Sequence, residues 1–314
     1  MVLVSGANGF VGSRLCRSFT EHGLRVRAAL RVGHQCADVA DVTVIGNIGP
    51  DTDWEPALVG VDTVVHLAAR THVLHDSASR DAYFDTNTAG TLRLATAAAR
   101  AGVRRFVFLS SIKVNGERTG AQPFKTSDIP APLDAYGESK WLAEQGLRDI
   151  AATSALEMAV VRTPLVYGPG VRANFLRLMG LVRSGVPLPF GAIENKRSLI
   201  GVWNLCDVLL RLATIDRLPA QTFLASDDRD LSTPELIRLL AAAMGRRPRL
   251  MNVPRALLQA LARVTGRGPE IARLCESLRV DVSATRSLLA WEPPMSVEEG
   301  LARTVRWFEG EGET

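Results

Sequence analysis

The chain has 314 residues, enough to bury a large core as one large or two smaller domains, and its 46% hydrophobic and 22% charged content suit a soluble globular protein. The net charge of +4 comes from arginines scattered along the chain. No basic run or stripe stands out, which argues against nucleic acid as a partner.

The first element is Val2-Leu3-Val4, a short β-branched run, followed at once by Gly6-Ala7-Asn8-Gly9-Phe10-Val11-Gly12. Ser13 to Glu21 then reads as a helix with Leu15, Cys16 and Phe19 on its apolar side. Strand, glycine turn and helix start form the context in which G-x-x-G-x-x-G carries meaning. Gly6 permits the tight turn, Gly9 lets a pyrophosphate approach the backbone, and Gly12 lets the helix pack on its strand. Asn8, Phe10 and Val11 belong to the same cradle, where the helix N-terminus offers N–H groups and a positive dipole end to phosphate.

Leu24 to Leu30 is the second predicted strand. A carboxylate about 20 residues past the glycines would bind the adenosine ribose diol and favour NAD. The sequence there is Leu30-Arg31-Val32-Gly33, with no acid before Asp38. Arg31 can meet a 2′-phosphate and favour NADP(H), with NAD still possible; a solvent-facing arginine at a strand end is an equal reading.

Further strands are expected at Thr43–Ile45, Thr63–Leu67, Arg105–Leu109 and Met158–Val161, separated by alanine-rich helical stretches, notably Ala82 to Ala101. Alternation of this kind implies an α/β fold, a doubly wound parallel (Rossmann) sheet covered on both faces. Ligands bind at the carboxyl ends of such strands. Those ends carry Asn47-Ile48, His66-Leu67-Ala68-Ala69, Ser110-Ser111 and Arg162-Thr163-Pro164. The small residues suit a cofactor lying on backbone, and equally suit close packing.

Tyr136-Gly137-Glu138-Ser139-Lys140 places a phenol and an ammonium on one helix face, one turn apart. The ammonium is expected to draw the tyrosine's pKa down toward the working pH, where it can exchange a proton with an alcohol or ketone oxygen. Taken alone, the pair reads more readily as a surface helix turn, because the spacing is common by chance.

Beyond Tyr167-Gly168-Pro169-Gly170 the pattern loosens. Helices are expected from Asn174 to about Val182, from about Asn204, from Ser232-Thr233-Pro234-Glu235, and over Pro254–Val264 and Pro269–Leu278. Pro187–Gly191 reads as a turn and Thr222–Ala225 as a last strand returning to the first sheet. Asp281-Val282-Ser283 and Leu289-Ala290-Trp291 are assigned to packing. Four cysteines (Cys16, Cys36, Cys206, Cys275) have no paired spacing, so neither a disulfide framework nor a metal site is expected. No run approaches the roughly 18 apolar residues of a membrane span, and with no leader before the first strand the expected location is cytoplasmic.

Together the motifs GANGFVG, VVHLAA, the Asn87 of Asp85-Thr86-Asn87-Thr88-Ala89-Gly90-Thr91, FLSSIKVNG, YGESK and VYGPG resemble the extended short-chain dehydrogenase/reductase family, in its nucleotide-sugar epimerase/dehydratase branch. The resemblance covers residues 1 to about 170 in order. It implies a dinucleotide-binding domain (1–166 plus about 200–226) and a smaller, discontinuous nucleotide-sugar domain (about 167–199 plus 227–314). It also implies roles. Ser111 would hydrogen-bond the reacting oxygen, Tyr136 would be the acid/base, and Lys140 would lower its pKa and hold the nicotinamide ribose. Asn87 would support the hydrogen-bond network, and Asn47 and Ile48 would flank the adenine. Leu67, Ala68, Ala69, Ser110, Pro164 and Val166 complete the implied cofactor set. Lys113, Asn174, Arg197 and Arg273 are the implied substrate contacts, with Arg279 a weaker one.

The family's 4,6-dehydratases carry an Asp-Glu pair just after the catalytic serine or threonine. Ile112 and Lys113 stand there, so dehydration is not expected. Asn115 stands where the family usually has tyrosine. The resemblance therefore implies an enzyme that reduces a 4-keto UDP-sugar at C4. A UDP-hexose 4-epimerase with tightly held NAD is the alternative, and a non-catalytic NAD(P) sensor a distant one. Relatives often dimerise, and Thr91–Ala101 and Ser139–Ile150 are the helices expected to do so.

Overall fold

The computed structural model describes residues 1–36, 39–71, 80–219, 221–258 and 268–312. Seven strands are expected to be apolar runs if both sheet faces are covered. The inner ones are: β1 (Val2–Ser5) and β4 (Thr63–His66) are buried at every position, and β5 (Arg105–Ser111) and β6 (Glu157–Thr163) at nearly every one. With β2 (Val26–Leu30), β3 (Asp41–Val44) and β9 (Thr222–Leu224) they form one parallel sheet in the order β3-β2-β1-β4-β5-β6-β9. The chain winds outward from β1 to β3, then returns to β4 on the other side of β1. That reversal opens a crevice at the carboxyl ends of β1 and β4, where a doubly wound sheet takes its ligand.

Helices seal both faces. On one, α1 (Phe10–Glu21) and α7 (Val202–Thr214) bury Leu15, Phe19, Val208 and Leu209, and Trp291 closes the same cluster from the end of the chain. On the other, α2 (Glu55–Leu58), α4 (Gly90–Arg100) and α5 (Ala135–Ala152) pack Leu58, Leu94, Ala98, Ala143 and Leu147 on Phe106 and Val160.

The expected helix Ala82–Ala101 is not uniform. It begins as α3 (Arg80–Tyr83), widens to a π-helical turn over Phe84–Ala89, and continues as α4. Such widened turns recur at functional sites, and this one carries the fully buried Asn87. The expected strands agree in place and differ at their ends; β6 runs on through Arg162 and Thr163, which the sequence pattern left outside it.

A second apolar cluster lies outside the sheet. The strands β7 (Leu165–Tyr167) and β8 (Leu199–Gly201) pair in parallel as a small sheet that periodicity did not indicate, each being only a few residues long. Around Tyr167 gather α6 (Ala173–Ser184), α8 (Thr233–Ala243), α9 (Gly268–Cys275) and α11 (Val297–Glu309), while α10 (Ser283–Leu289) packs on β9. Ser232 and Glu235 form the expected capping box of α8. Of the helix expected over Pro254–Val264, residues 255–258 are helical and the part from 259 onward lies outside the described residues. No described helix is long and apolar enough to cross a membrane.

One buried carboxylate joins the small sheet to α7. Asp227 accepts from the Tyr167 hydroxyl at 2.8 Å, the Gly201 amide at 2.9 Å and Asn204 Nδ2 at 2.7 Å. Asn204 in turn bonds both backbone groups of Met295. Burial raises the Asp227 pKa, and the hydrogen bonds it accepts oppose that rise. Asp227→Ala would strand three donors, each worth about 1–3 kcal/mol when buried without a partner. The expected outcome is a loss of roughly 3–6 kcal/mol in urea unfolding; a loss under about 1 kcal/mol would show the node to be dispensable.

Candidate active site

The crevice is a cleft of about 1150 Å³. At its floor β1 turns at Gly6, whose φ of +71° is left-handed and whose missing side chain matters twice over. A Cβ on Gly6 would lie 2.8 Å from the Ala68 amide nitrogen, and one on Gly12 would lie 2.1 Å from the Gly6 carbonyl oxygen. Only glycines let α1 start this close to the sheet. No side chain caps α1 at Gly9, so its first N–H groups are left for a ligand.

Most residues implied by the resemblance line this one cleft: Gly6, Asn8, Gly9, Phe10, Val11, Gly12, Arg31, Asn47, Ile48, Leu67, Ala68, Ala69, Ser110, Ser111, Tyr136, Lys140, Pro164 and Val166. Asn87 is placed behind the wall, not in it. Its Oδ1 accepts from the Arg70 amide at 2.8 Å, and its Nδ2 donates to the Arg70 carbonyl and to Ser139 Oγ, each at 3.0 Å. Asn87 therefore ties the loop after β4 to α5.

None of the four implied substrate contacts lines the cleft. Lys113 is held by Glu117 at 2.9 Å and by Asp134. The Arg197 guanidinium donates to the carbonyls of Arg273 and Glu276, at 2.9 and 3.0 Å, which makes it a clamp on the end of α9. Burial lowers the Arg197 pKa. Asn174 sits in the first turn of α6, Arg273 in the last turn of α9, and the Arg279 guanidinium donates to the Ala121 carbonyl. Sequence reading missed three basic residues that do line the cleft: His34, Arg70 and Arg172. The signal available was modest. His34 stands three residues after Arg31 and its Nδ1 accepts from Asn8 Nδ2 at 2.9 Å, while Arg172 precedes α6 in the loop after Gly170. Asp38 lies outside the described residues.

Tyr136 and Lys140 share a face of α5, which Asp134 caps by accepting from the Gly137 amide at 2.7 Å. Lys140 is 1% exposed; its Nζ donates to the Leu109 carbonyl at 2.9 Å and stands 4.4 Å from the Phe108 ring centre. The expected fall in the Tyr136 pKa is not what this geometry gives. Burial pushes Tyr136 up to about 12, opposed by a hydrogen bond with Ser111 and reinforced by the Asp134 carboxylate. Burial also pushes Lys140 down to about 7, with Glu144 opposing. Both groups are drawn out of water together, so desolvation outweighs the pull of the ammonium. Tyr136 is half-buried and lines the cleft.

A buried relay sets the loop after β4. The Thr91 hydroxyl donates to the Asn87 carbonyl at 2.7 Å, so it accepts from His66 Nε2 at 2.9 Å. His66 Nδ1 then accepts from the Ser5 hydroxyl at 2.5 Å, and Ser5 accepts from the Ala68 amide at 3.4 Å. The relay fixes the neutral tautomer of His66 and the position of Ala68 on the cleft floor.

Comparison with known proteins fits this geometry. A family model described as the NAD dependent epimerase/dehydratase family matches residues 2–222. The chain belongs to that family. It is an NAD(P)-dependent enzyme of the extended short-chain dehydrogenase/reductase branch. Over 312 residues it is 41% identical to a UDP-glucose 4-epimerase of Vibrio cholerae, covering 98% of this chain and 95% of that one. The structure of MoeE5 in complex with UDP-glucuronic acid and NAD superposes with a TM-score of 0.80 at 27% identity over 99% of both chains. A Thermotoga maritima UDP-glucose 4-epimerase with UDP-glucose shares the fold, at a TM-score of 0.78 and 23% identity over 99% of both chains. The family's dinucleotide fits the residues present: the uncapped start of α1 suits its pyrophosphate, and side chains at Gly6 and Gly12 would close the cradle.

The relay also sets a pH dependence. Burial, reinforced by the Lys140 charge, lowers the His66 pKa from 6.5 to about 3. The unfolded chain takes up this proton below about 6.5 and the folded one does not, so stability falls with falling pH by up to about 1.4 kcal/mol per unit. His66→Gln is expected to flatten the decline between about pH 6.5 and 5, above the range where most carboxylates titrate. Urea unfolding of both proteins across that interval checks this, and identical slopes would refute it.

Proposed function

We propose that the protein reduces the C4 ketone of a UDP-sugar of the 4-keto-6-deoxy-N-acetylhexosamine type, using NADPH, to make a sugar for a surface polysaccharide. The observation that carries the reading is the corner beyond β2. Arg31 and His34 line it, and among the described residues no carboxylate lines any part of the cleft. A 2′-phosphate would find the Arg31 guanidinium there, and a bare ribose diol would find no acid to accept its hydrogen bonds.

Bound NADPH supplies the hydride that C4 receives. Tyr136 gives the oxygen its proton, and Ser111, hydrogen-bonded to Tyr136, steadies that oxygen. The Lys140 ammonium stabilises the phenolate left behind. Arg172 and Arg70 are the cations of the cleft suited to a nucleotide diphosphate, which an arginine fork grips in two places. Ile112 is buried in a small apolar cluster and Lys113 is engaged by two carboxylates, so neither supplies dehydratase chemistry.

A second reading has its own support. The Vibrio cholerae relative is named a UDP-glucose 4-epimerase, and MoeE5 was captured with NAD. In that reading tightly held NAD takes the C4 hydride and returns it to the other face.

Two experiments follow. Tyr136→Phe removes only the hydroxyl; cofactor binding is expected to persist while kcat falls about 10²–10⁴-fold, the usual worth of a positioned proton donor. A variant retaining most of its activity removes Tyr136 from the mechanism. Titration with both reduced cofactors is expected to show tighter NADPH than NADH, and Arg31→Asp to reverse the order. One charge-assisted contact of about 1.5–3 kcal/mol shifts the ratio roughly tenfold to a hundredfold. Purification with stoichiometric NAD, together with C4 inversion and no net oxidation of added cofactor, would overturn the reductase reading in favour of the epimerase.

A further inference from the structure

Tyr136, Lys140, Glu144 and Arg148 recur every fourth residue along one stripe of α5. The first two line the cleft; the third has no part in the chemistry proposed so far, yet it is fully buried. Glu144 Oε1 accepts from the Ser110 hydroxyl at 2.6 Å and from Arg162 Nε at 2.9 Å, and Oε2 accepts from Arg162 Nη2 at 2.6 Å. Arg148, one turn on, reaches Oε2 at 3.1 Å. Arg162 is itself 2% exposed, and its Nη1 donates to Asn115 Oδ1 at 2.9 Å. Asn115 Nδ2 bonds the Lys125 carbonyl at 3.2 Å. A carboxylate and a guanidinium with every strong acceptor and most donors matched thus sit directly beneath the catalytic face, where a pair of apolar side chains would pack as well.

The strands joined by this pair are the ones that deliver the reacting groups. Ser110 lies between Leu109, whose carbonyl holds Lys140, and Ser111, which hydrogen-bonds Tyr136. Asn115 follows the short 3₁₀ turn (Ile112–Val114) that Ser111 caps by accepting from the Lys113 amide. Arg162 is the penultimate residue of β6, followed by Thr163 and Pro164, both on the cleft wall.

We propose that Glu144, paired with Arg162, is the positioning unit of the active site: through Ser110 and Asn115 it fixes the ends of β5 and β6 against α5 so that Lys140 and Ser111 meet Tyr136. This rests on the roles given above to Tyr136, Ser111 and Lys140. It also accounts for Asn115. Its short amide satisfies the remaining arm of Arg162.

The unit has an electrostatic arm as well. The groups facing Lys140 are Tyr136 and Glu144 on its own helix, the Leu109 carbonyl and Phe108 ring on β5, and neutral His66 on β4. Glu144 is the carboxylate that raises the Lys140 pKa against burial. Without it the ammonium loses its proton at lower pH, and the alkaline limb of kcat moves to lower pH.

The test is the double variant Glu144→Leu/Arg162→Met, which replaces the buried pair by apolar side chains of similar length, a change that is often neutral for stability. Expected are a melting temperature close to wild type, an unchanged KM for the UDP-sugar, a kcat reduced about tenfold to a hundredfold by misplacement, and the shifted alkaline limb. A folded double variant with wild-type kcat and pH profile overturns the proposal. Should that variant fail to fold, Ser110→Ala decides: it leaves the ion pair in place and removes only its link to β5. A lower kcat with unchanged cofactor Kd supports the unit, and an unchanged kcat overturns it. Tyr136→Phe run alongside separates the two claims, since activity surviving there defeats the catalytic assignment itself and not the positioning unit.

Discussion

A lysine side chain inside a protein gives up the water around its charge, and little except a carbonyl, a ring face or a carboxylate can stand in for it. Lys140 has all three: the Leu109 carbonyl, the Phe108 ring and the field of Glu144. The arrangement near the cleft follows from that burial. Strand β5 must end where its carbonyl can reach the amine, α5 must lie close enough to supply the carboxylate, and His66 must stay neutral beside a positive charge. A site with the same residues and an exposed lysine would need none of these neighbours.

The polar groups behind the cleft are few and each joins more than two elements. His66 connects β1, β4 and α4 through Ser5 and Thr91; Glu144 connects α5, β5 and β6; Asp227 connects β7, β8 and α7. Inside a low-dielectric core a matched group of this kind is rigid because losing one partner leaves others unsatisfied. Between them the glycine cradle is set by contact alone, since Gly12 and Gly6 leave no room for side chains. The glycine floor of the cleft and the wall that carries Tyr136 and Lys140 are therefore held by different means: close backbone packing for one, buried hydrogen bonds for the other.

The sheet, its order of helices and the floor of the cleft were legible because each rests on local pattern. Val2-Leu3-Val4 followed by glycines announces a strand and a phosphate turn, and Tyr136 with Lys140 announces a shared helix face. What stayed hidden depends on partners far apart in the chain. Arg197 looks like a diphosphate ligand in sequence, yet its guanidinium is used on the carbonyls that end α9, more than seventy residues away. Glu144 and Arg162 look like ordinary charges on a helix and after a strand; only the pairing of β5 with β6 under α5 brings them together. The Tyr136 pKa was misjudged for a related reason. Spacing reveals that an ammonium is near, and depth of burial, which spacing does not reveal, decides the sign.

The place of Trp291 has a consequence for how the protein is made. It is fully buried in the cluster that joins α1, the sheet and α7, with its indole nitrogen donating to Asp207 at 2.8 Å. The strand β9, which completes the sheet, ends at Leu224, well before Trp291 leaves the ribosome. At roughly 5–20 residues per second, synthesis of the intervening stretch takes several seconds. For that interval the seven-stranded sheet has all its strands but lacks the indole that closes one face, so its oldest helix waits on one of its newest residues.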